Sequence, residues 1–282
     1  MKKIFLVPNV TKDKDLTVTL KVVKKLTELG AVIYLPDSIG VSIPGVTCVQ
    51  DAPHDSELIV VIGGDGSFID AAGYAIKNNI PILGINLGKV GYLSEVEPYD
   101  LSILSKLFKG EYRINERMLL AATVISSDKE IKSDRLAVND VVLTHSSYLG
   151  ISEFVLYSNE GGIKYRADGI VVSTPAGSTA YSLSSGGPIV SHDAPAVIVT
   201  PISSHSFFNR SIVFGEKEII NIKNTSSENM ILSIDGRFFA TLHALDKCRI
   251  SVSEKTLKVL TFKNNNMFSN LFSKMKTVED II

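Results

Sequence analysis

Ile59-Val60-Val61-Ile62 is an unbroken apolar run that stops in Gly63-Gly64-Asp65-Gly66-Ser67, and no other stretch of the chain restricts its fold as tightly. A continuous β-branched run, without polar alternation, reads as a strand buried on both faces. Glycines at its carboxyl end let backbone approach a ligand that side chains would exclude. Asp65 therefore projects into a place built for a polar group to come close. A phosphate-handling turn is one reading, and an Asp-Gly turn joining two elements is the other.

Around this run the first hundred residues alternate strand and helix. Ile4 to Val7 is strand-like; Leu16, Leu20, Val23 and Leu26 fall on one helical face; Gly30 ends that helix and 31–35 resumes a strand. Residues 58–62 and 80–85 are two more apolar strands, with Ser67 placed to cap a helix running through Lys77 between them. That helix has the length a crossover between parallel strands needs. The pattern predicts a doubly wound, mostly parallel α/β sheet. Ligands of such sheets sit beyond the carboxyl ends of the strands, where both 63–67 and 84–91 fall.

After Asp100 the rhythm changes to short β-rich runs at 118–125, 137–143, 154–157, 170–173, 197–200, 219–222, 231–234 and 257–262, separated by turn residues. An all-β second domain is expected, with hairpins at Asn159-Glu160-Gly161-Gly162 and Asp235-Gly236. Residues 267–282 form a short amphipathic segment expected to dock on the first domain. With 282 residues, 45% of them apolar, the chain has room for two modest domains or one large one. Its formal net charge of −1 gives no general attraction to nucleic acid or to an anionic membrane. No window is long and apolar enough for a membrane span, and the N-terminal run is too short for a signal peptide. Cys48 and Cys248 form neither a metal spacing nor a disulfide framework, which points to a reducing cytoplasm.

One segment of the β domain breaks its own pattern. Residues 165–188 open from a strand into a loop of small, hydroxyl-bearing residues around Gly177, Ser178, Thr179, Ser182, Ser184 and Ser185, with Tyr181 the one large side chain. Such a loop packs closely against a flat ligand and supplies hydrogen bonds; a solvated turn is the plainer reading.

Taken in order, Gly63-Gly64-Asp65-Gly66, Gly84-Ile85-Asn86 with Gly88-Lys89-Val90-Gly91-Tyr92-Leu93, Asn139-Asp140, 165–188, and Thr200-Pro201-Ile202 with His205-Ser206 and Asn209-Arg210 resemble the bacterial NAD kinases. The glycine-aspartate element alone is shared with lipid kinases and phosphofructokinases; the 165–188 segment resembles only the dinucleotide kinases. The resemblance implies an α/β domain, residues 1–100 with 264–282, and a β-rich dinucleotide-binding domain, residues 101–263, with the active site in the cleft between them. The implied reaction is transfer of a phosphoryl group from ATP or polyphosphate to the 2′-hydroxyl of the adenosine ribose of NAD, making NADP.

Residue by residue, the resemblance implies that Asp65 contacts the acceptor hydroxyl and is the catalytic group. Gly63, Gly64, Gly66 and Ser67 lie near the donor phosphates. Substrate binding falls to Gly64, Gly66, Tyr92, Leu93, Asn139, Asp140, Arg166, Asp168, Thr179, Ala180, Tyr181 and Ser184, with Tyr92 and Leu93 lining the adenine pocket. Asn139-Asp140 as an Asx turn and Asp168-Gly169 as a plain turn are the competing readings. Departures from the family pattern are Ser67 for Thr, Asp140 for Glu, Ala176 for Thr or Ser, and Leu87 for a polar residue. The resemblance further implies a homodimer or homotetramer. No metal-ligand cluster is evident, so a divalent ion, magnesium, is expected to arrive with the nucleotide. There is no Walker-type lysine motif, which leaves the triphosphate to backbone amides.

Carboxylates are weak bases toward an alcohol, but the phosphoryl-transfer transition state is loose, so the proton can leave late and orientation matters more than basicity. Two alternatives compete. A lipid kinase needs a membrane-facing apolar or basic amphipathic surface, which the sequence does not show. A non-catalytic dinucleotide sensor has no need of Asp65.

Overall fold

The structure is a computed structural model that describes residues 2–88, 91–127, 129–146, 150–159 and 161–262. The chain divides into a unit that runs to Glu116 and resumes at Leu257, and a second unit from Arg117 to Thr256. The expected boundaries at 100 and 263 therefore move. Leu104 and Leu107 are buried in the first core, which carries the segment after Asp100 with the α/β unit.

In the first unit β1 (Lys3–Pro8), α1 (Thr17–Glu28), β2 (Val32–Pro36), β3 (Thr47–Val49), β4 (Leu58–Gly63), α2 (Asp65–Asn78), β5 (Ile82–Asn86), α3 (Ser105–Lys109) and β6 (Arg113–Arg117) follow in order. Every residue of β4 and β5 is buried, as the unbroken apolar runs require. Thr19, Val22, Val23 and Leu26 make the buried stripe of α1, whereas Leu20, expected on that face, is 47% exposed. Asp13 sets this rotation. Its carboxylate accepts the backbone N–H of Val18 and Thr19 and, at 2.6 Å, the Thr19 hydroxyl, which draws Thr19 inward. Gly30, at φ +86°, ends the helix as expected.

The second unit runs β7 (Leu120–Ser126), β8 (Lys129–Lys132), β9 (Asp140–His145), β10 (Ser152–Ser158), β11 (Gly161–Ala167), β12 (Gly169–Ser173), α4 (Tyr181–Ser184), β13 (Ala196–Ile202), β14 (Ile212–Gly215), β15 (Ile220–Asn224), β16 (Met230–Ile234), β17 (Arg237–Leu242) and β18 (Lys247–Val252). Two antiparallel sheets, ordered β11-β10-β15-β18-β7-β8 and β14-β13-β12-β9-β16-β17, share one core that includes Leu143, Phe154, Ile170, Leu232 and Ile250. Ser158 faces Gly161 and Ile234 faces Arg237, so both expected hairpins form; Glu160 itself lies outside the described residues. Asp235 and Gly236 both take positive φ, the geometry of a two-residue primed turn.

The last strand, β19 (Leu257–Thr261), leaves the β unit to which its sequence pattern assigned it. It runs parallel to β5 through Val259 and Ile82, giving the first sheet the order β3-β2-β1-β4-β5-β19-β6. The amphipathic 267–282 segment lies outside the described residues, as do Lys89 and Val90.

Candidate active site

The sheet order reverses at β1 and β4. From β1 the chain moves outward to β2, from β4 the other way to β5, and the carboxyl ends of this central pair form the crevice where open α/β sheets bind ligands. Gly63, Gly64 and Asp65 lie at this point. A methyl group on Gly63 would stand 2.5 Å from the Ser67 Cβ, so that position has no space for a side chain, while one on Gly64 would stand 2.5 Å from the Lys12 Nζ, the tip of a flexible side chain. Gly64 caps α2 in extended conformation and Asp65 is its first residue. Ser67 is therefore inside the helix rather than its cap; its hydroxyl accepts a 2.7 Å hydrogen bond from the Asn9 amide.

The second glycine loop closes onto this turn. The N–H of Leu87 donates to the Gly63 carbonyl at 2.8 Å, and the N–H of Gly88 donates to the Asn86 side chain at 2.8 Å. Gly91, at φ +64°, leaves no room for a Cβ beside the Asn86 amide. The chain then presents two N–H groups to Asp65: Tyr92 donates to Oδ2 at 3.0 Å and Leu93 to Oδ1 at 2.9 Å. Each carboxylate oxygen keeps a further lone pair for a hydroxyl or phosphate-bound group. The helix N-terminus beneath Asp65 favours negative charge there. Tyr92 and Leu93 thus meet Asp65 through their backbone, a link invisible in the sequence.

In the second unit a half-buried carboxylate organises the Asn139-Asp140 pair. Asp235 accepts the backbone N–H of Val138 at 2.9 Å, of Asn139 at 2.8 Å and of Asp140 at 3.1 Å. From the other side Thr174 donates its N–H to the Asn139 carbonyl and its hydroxyl to the Val138 carbonyl, at 2.9 and 2.7 Å. A Cβ on Gly177 would stand 2.0 Å from the Asn139 carbonyl oxygen, so the two segments touch backbone to backbone. The Asn139 Oδ1 is buried with no hydrogen-bond partner among the described residues, an acceptor held ready for a donor. Burial first, and the neighbouring Asp235 second, push Asp140 up to about 7. Burial also raises Asp235, against the lowering effect of its three N–H donors.

The remaining predicted positions group around the same strands. Asp168 joins β11 to β12, its N–H donating to the Ile202 carbonyl at 3.0 Å and its carbonyl accepting from His145 at 3.1 Å. A Cβ on Gly169 would lie 2.2 Å from the Leu143 carbonyl oxygen. Arg166 pairs with Glu153 at 3.4 Å; its carbonyl accepts the His205 N–H at 2.8 Å and its N–H donates to the Ser206 hydroxyl at 2.9 Å. Thr179 and Ala180 close the turn that leads into α4, where the Tyr181 ring is exposed and Ser184 is also exposed. Ser182 faces inward and is bonded to the Thr200 hydroxyl at 3.1 Å. Asp235, Thr174, Asn9 and Lys12 were not singled out from sequence. The sequence signal at Asp235 is its Asp-Gly turn, which by itself indicates only a hairpin.

A mostly parallel sheet whose central strand ends in a glycine-flanked carboxylate at a helix N-terminus, combined with a β unit presenting a built polar cluster, defines a nucleotide-dependent phosphotransferase. Two family models match, the ATP-NAD kinase N-terminal domain over residues 4–112 and the ATP-NAD kinase C-terminal domain over residues 138–262. The chain is 36% identical over 284 residues to the NAD kinase of Lachnoclostridium phytofermentans, covering 97% of this chain and 99% of the relative. It is 35% identical to the NAD kinase of Caldanaerobacter subterraneus, covering 98% and 99%. Among solved structures, yeast NADH kinase complexed with NADH superposes with a TM-score of 0.84 at 21% identity, over 98% of this chain and 86% of that one. The NAD kinase from Archaeoglobus fulgidus in complex with ATP gives 0.75 at 22% identity, over 98% and 99%. The chain belongs to the ATP-NAD kinase family. No helix among the described residues is long and apolar enough to cross a membrane.

Proposed function

We propose that the protein transfers the γ-phosphoryl group of ATP to the 2′-hydroxyl of the adenosine ribose of NAD, with Asp65 orienting that hydroxyl and accepting its proton late. The observation that carries this reading is the Asp65 carboxylate, fixed by the N–H groups of Tyr92 and Leu93 at the end of the glycine turn. Little covalent assistance is needed at a loose transition state, so a rigidly aimed acceptor contributes through position. Gly63, Gly64, Gly66 and Ser67 are assigned to the donor phosphates. Asn139, Asp140, Arg166, Asp168, Thr179, Ala180, Tyr181 and Ser184 are assigned to the dinucleotide, with Gly64, Gly66, Tyr92 and Leu93.

Magnesium is proposed to enter with the nucleotide, bound through phosphate oxygens and at most one or two carboxylates, and to neutralise phosphate charge. We also assign the protein to the cytoplasm and to a homodimer or homotetramer. The edge strand β17, with Phe238 exposed, is the surface that favours self-association.

The test is NADP formation from NAD, ATP and magnesium, read through an NADP-specific dehydrogenase. Asp65→Asn is expected to fold, keep its KM for NAD within a few-fold, and lose about 10² to 10⁴ in kcat. Turnover near that of the wild type would overturn the assignment. Polyphosphate in place of ATP, and NADH in place of NAD, define the donor and acceptor range in the same assay.

A further inference from the structure

We propose that Lys12 is a donor-phosphate ligand, the cation that the glycine turn lacks in its own sequence. This rests on the reading that ATP is the donor. Lys12 sits on the loop after β1, beside the carboxyl end of β4, at the point where the sheet order reverses. Its Nζ lies 2.5 Å from the position a Cβ would take on Gly64 and 4.0 Å from that on Gly88. One ammonium group thus stands over the backbone of both glycine loops.

The loop that carries it is fastened to the turn. Asn9 donates its backbone N–H to the Ile62 carbonyl at 2.8 Å and its amide to the Ser67 hydroxyl at 2.7 Å. The Asn9 Oδ1 accepts the N–H of Lys12 at 3.0 Å, so the Lys12 backbone is placed from the same anchor. A long, flexible side chain is thereby rooted within reach of the turn.

Its charge is not already neutralised. Lys12 makes no ion pair among the described residues. The adjacent carboxylate of Asp13 is turned away, accepting from Val18 and from Thr19. Asp65 is held by Tyr92 and Leu93. A lysine over side-chain-free backbone, next to a helix N-terminus, is a phosphate site in both charge and shape. The glycine-rich turns of Walker-type enzymes bear their lysine on the turn itself; here it comes from the neighbouring strand's loop. A structural role for Lys12 would require a packed stem or a fixed partner, and the residue is exposed.

The experiment compares Lys12→Gln and Lys12→Arg with the wild type, measuring KM for ATP and for NAD together with direct ATP binding by calorimetry. Lys12→Gln is expected to raise KM for ATP by about 10- to 100-fold, the loss of one charge-assisted hydrogen bond, with KM for NAD within about two-fold. Lys12→Arg is expected to recover most of the ATP affinity. An unchanged KM for ATP, or equal rises in both KM values, overturns the proposal. A wild-type protein that binds ATP but makes no NADP overturns the proposed function instead, and ATP affinity in Lys12→Gln still decides the role of Lys12.

Discussion

Asp140→Asn should stabilise the protein above neutral pH while weakening its handling of NAD. The Asp140 carboxyl is buried beside Asp235, and its pKa rises from 3.8 to about 7. A carboxyl whose folded pKa is raised binds more protons in the native than in the unfolded state, so native stability falls as pH climbs from about 4 to about 7 and then levels off. The span from 3.8 to about 7 corresponds to about 4 kcal/mol at pH 8. Replacing the carboxylate by an amide removes this cost. An amide N–H₂ that finds no full set of acceptors takes back about 1–2 kcal/mol, leaving a net gain of about 2–3 kcal/mol. The chain has no tryptophan, so urea unfolding followed by far-UV circular dichroism at pH 4.5 and pH 8.5 is the assay. The variant's advantage should be present at pH 8.5 and shrink toward nothing at pH 4.5. An advantage that is equal at both pH values, or larger in acid, refutes the argument from burial and charge.

Two further substitutions address the same cluster. Asp235→Ala strands the N–H groups of Val138, Asn139 and Asp140, and should cost about 2–4 kcal/mol while raising KM for NAD about ten-fold or more; KM for ATP should stay within two-fold, and a change confined to ATP would show that the Asn139 segment has no part in NAD binding. Gly177→Ala places a Cβ 2.0 Å from the Asn139 carbonyl oxygen, so the turn or the segment must shift; a melting temperature and NAD affinity like those of the wild type would show the contact to be dispensable.

The parallel strands were legible because burial on both faces leaves a continuous apolar signature, and β4 and β5 carry it in full. Strand β3 carried none: Thr47 and Cys48 are exposed, and three residues are too few to show a period. The sequence pattern of 257–262 revealed a strand but not its partner, since a short apolar strand reads alike in either sheet. Asp65 and its glycines were found from local chemistry. What holds Asp65 was not, because the donors at Tyr92 and Leu93 are main-chain groups that any residue type could supply. Asp235 escaped for a related reason. Its carboxylate acts on residues 95 to 97 positions away, and a turn-forming Asp-Gly looks the same whether or not its side chain is employed.

The return of β19 has a consequence for how the chain is made. The first sheet places β19, near the end of the described chain, between β5 and β6. While a nascent chain is emerging, β6 waits without its neighbour until residues 257–261 have left the ribosome, long after the glycine turn has appeared. The whole β unit, Arg117 to Thr256, is synthesised in that interval and has antiparallel hairpins of its own to close first. Pairings this distant in sequence form slowly and leave an open strand edge exposed to other chains meanwhile. The unit that carries Asp65 is thus the first to be translated and the last to be completed.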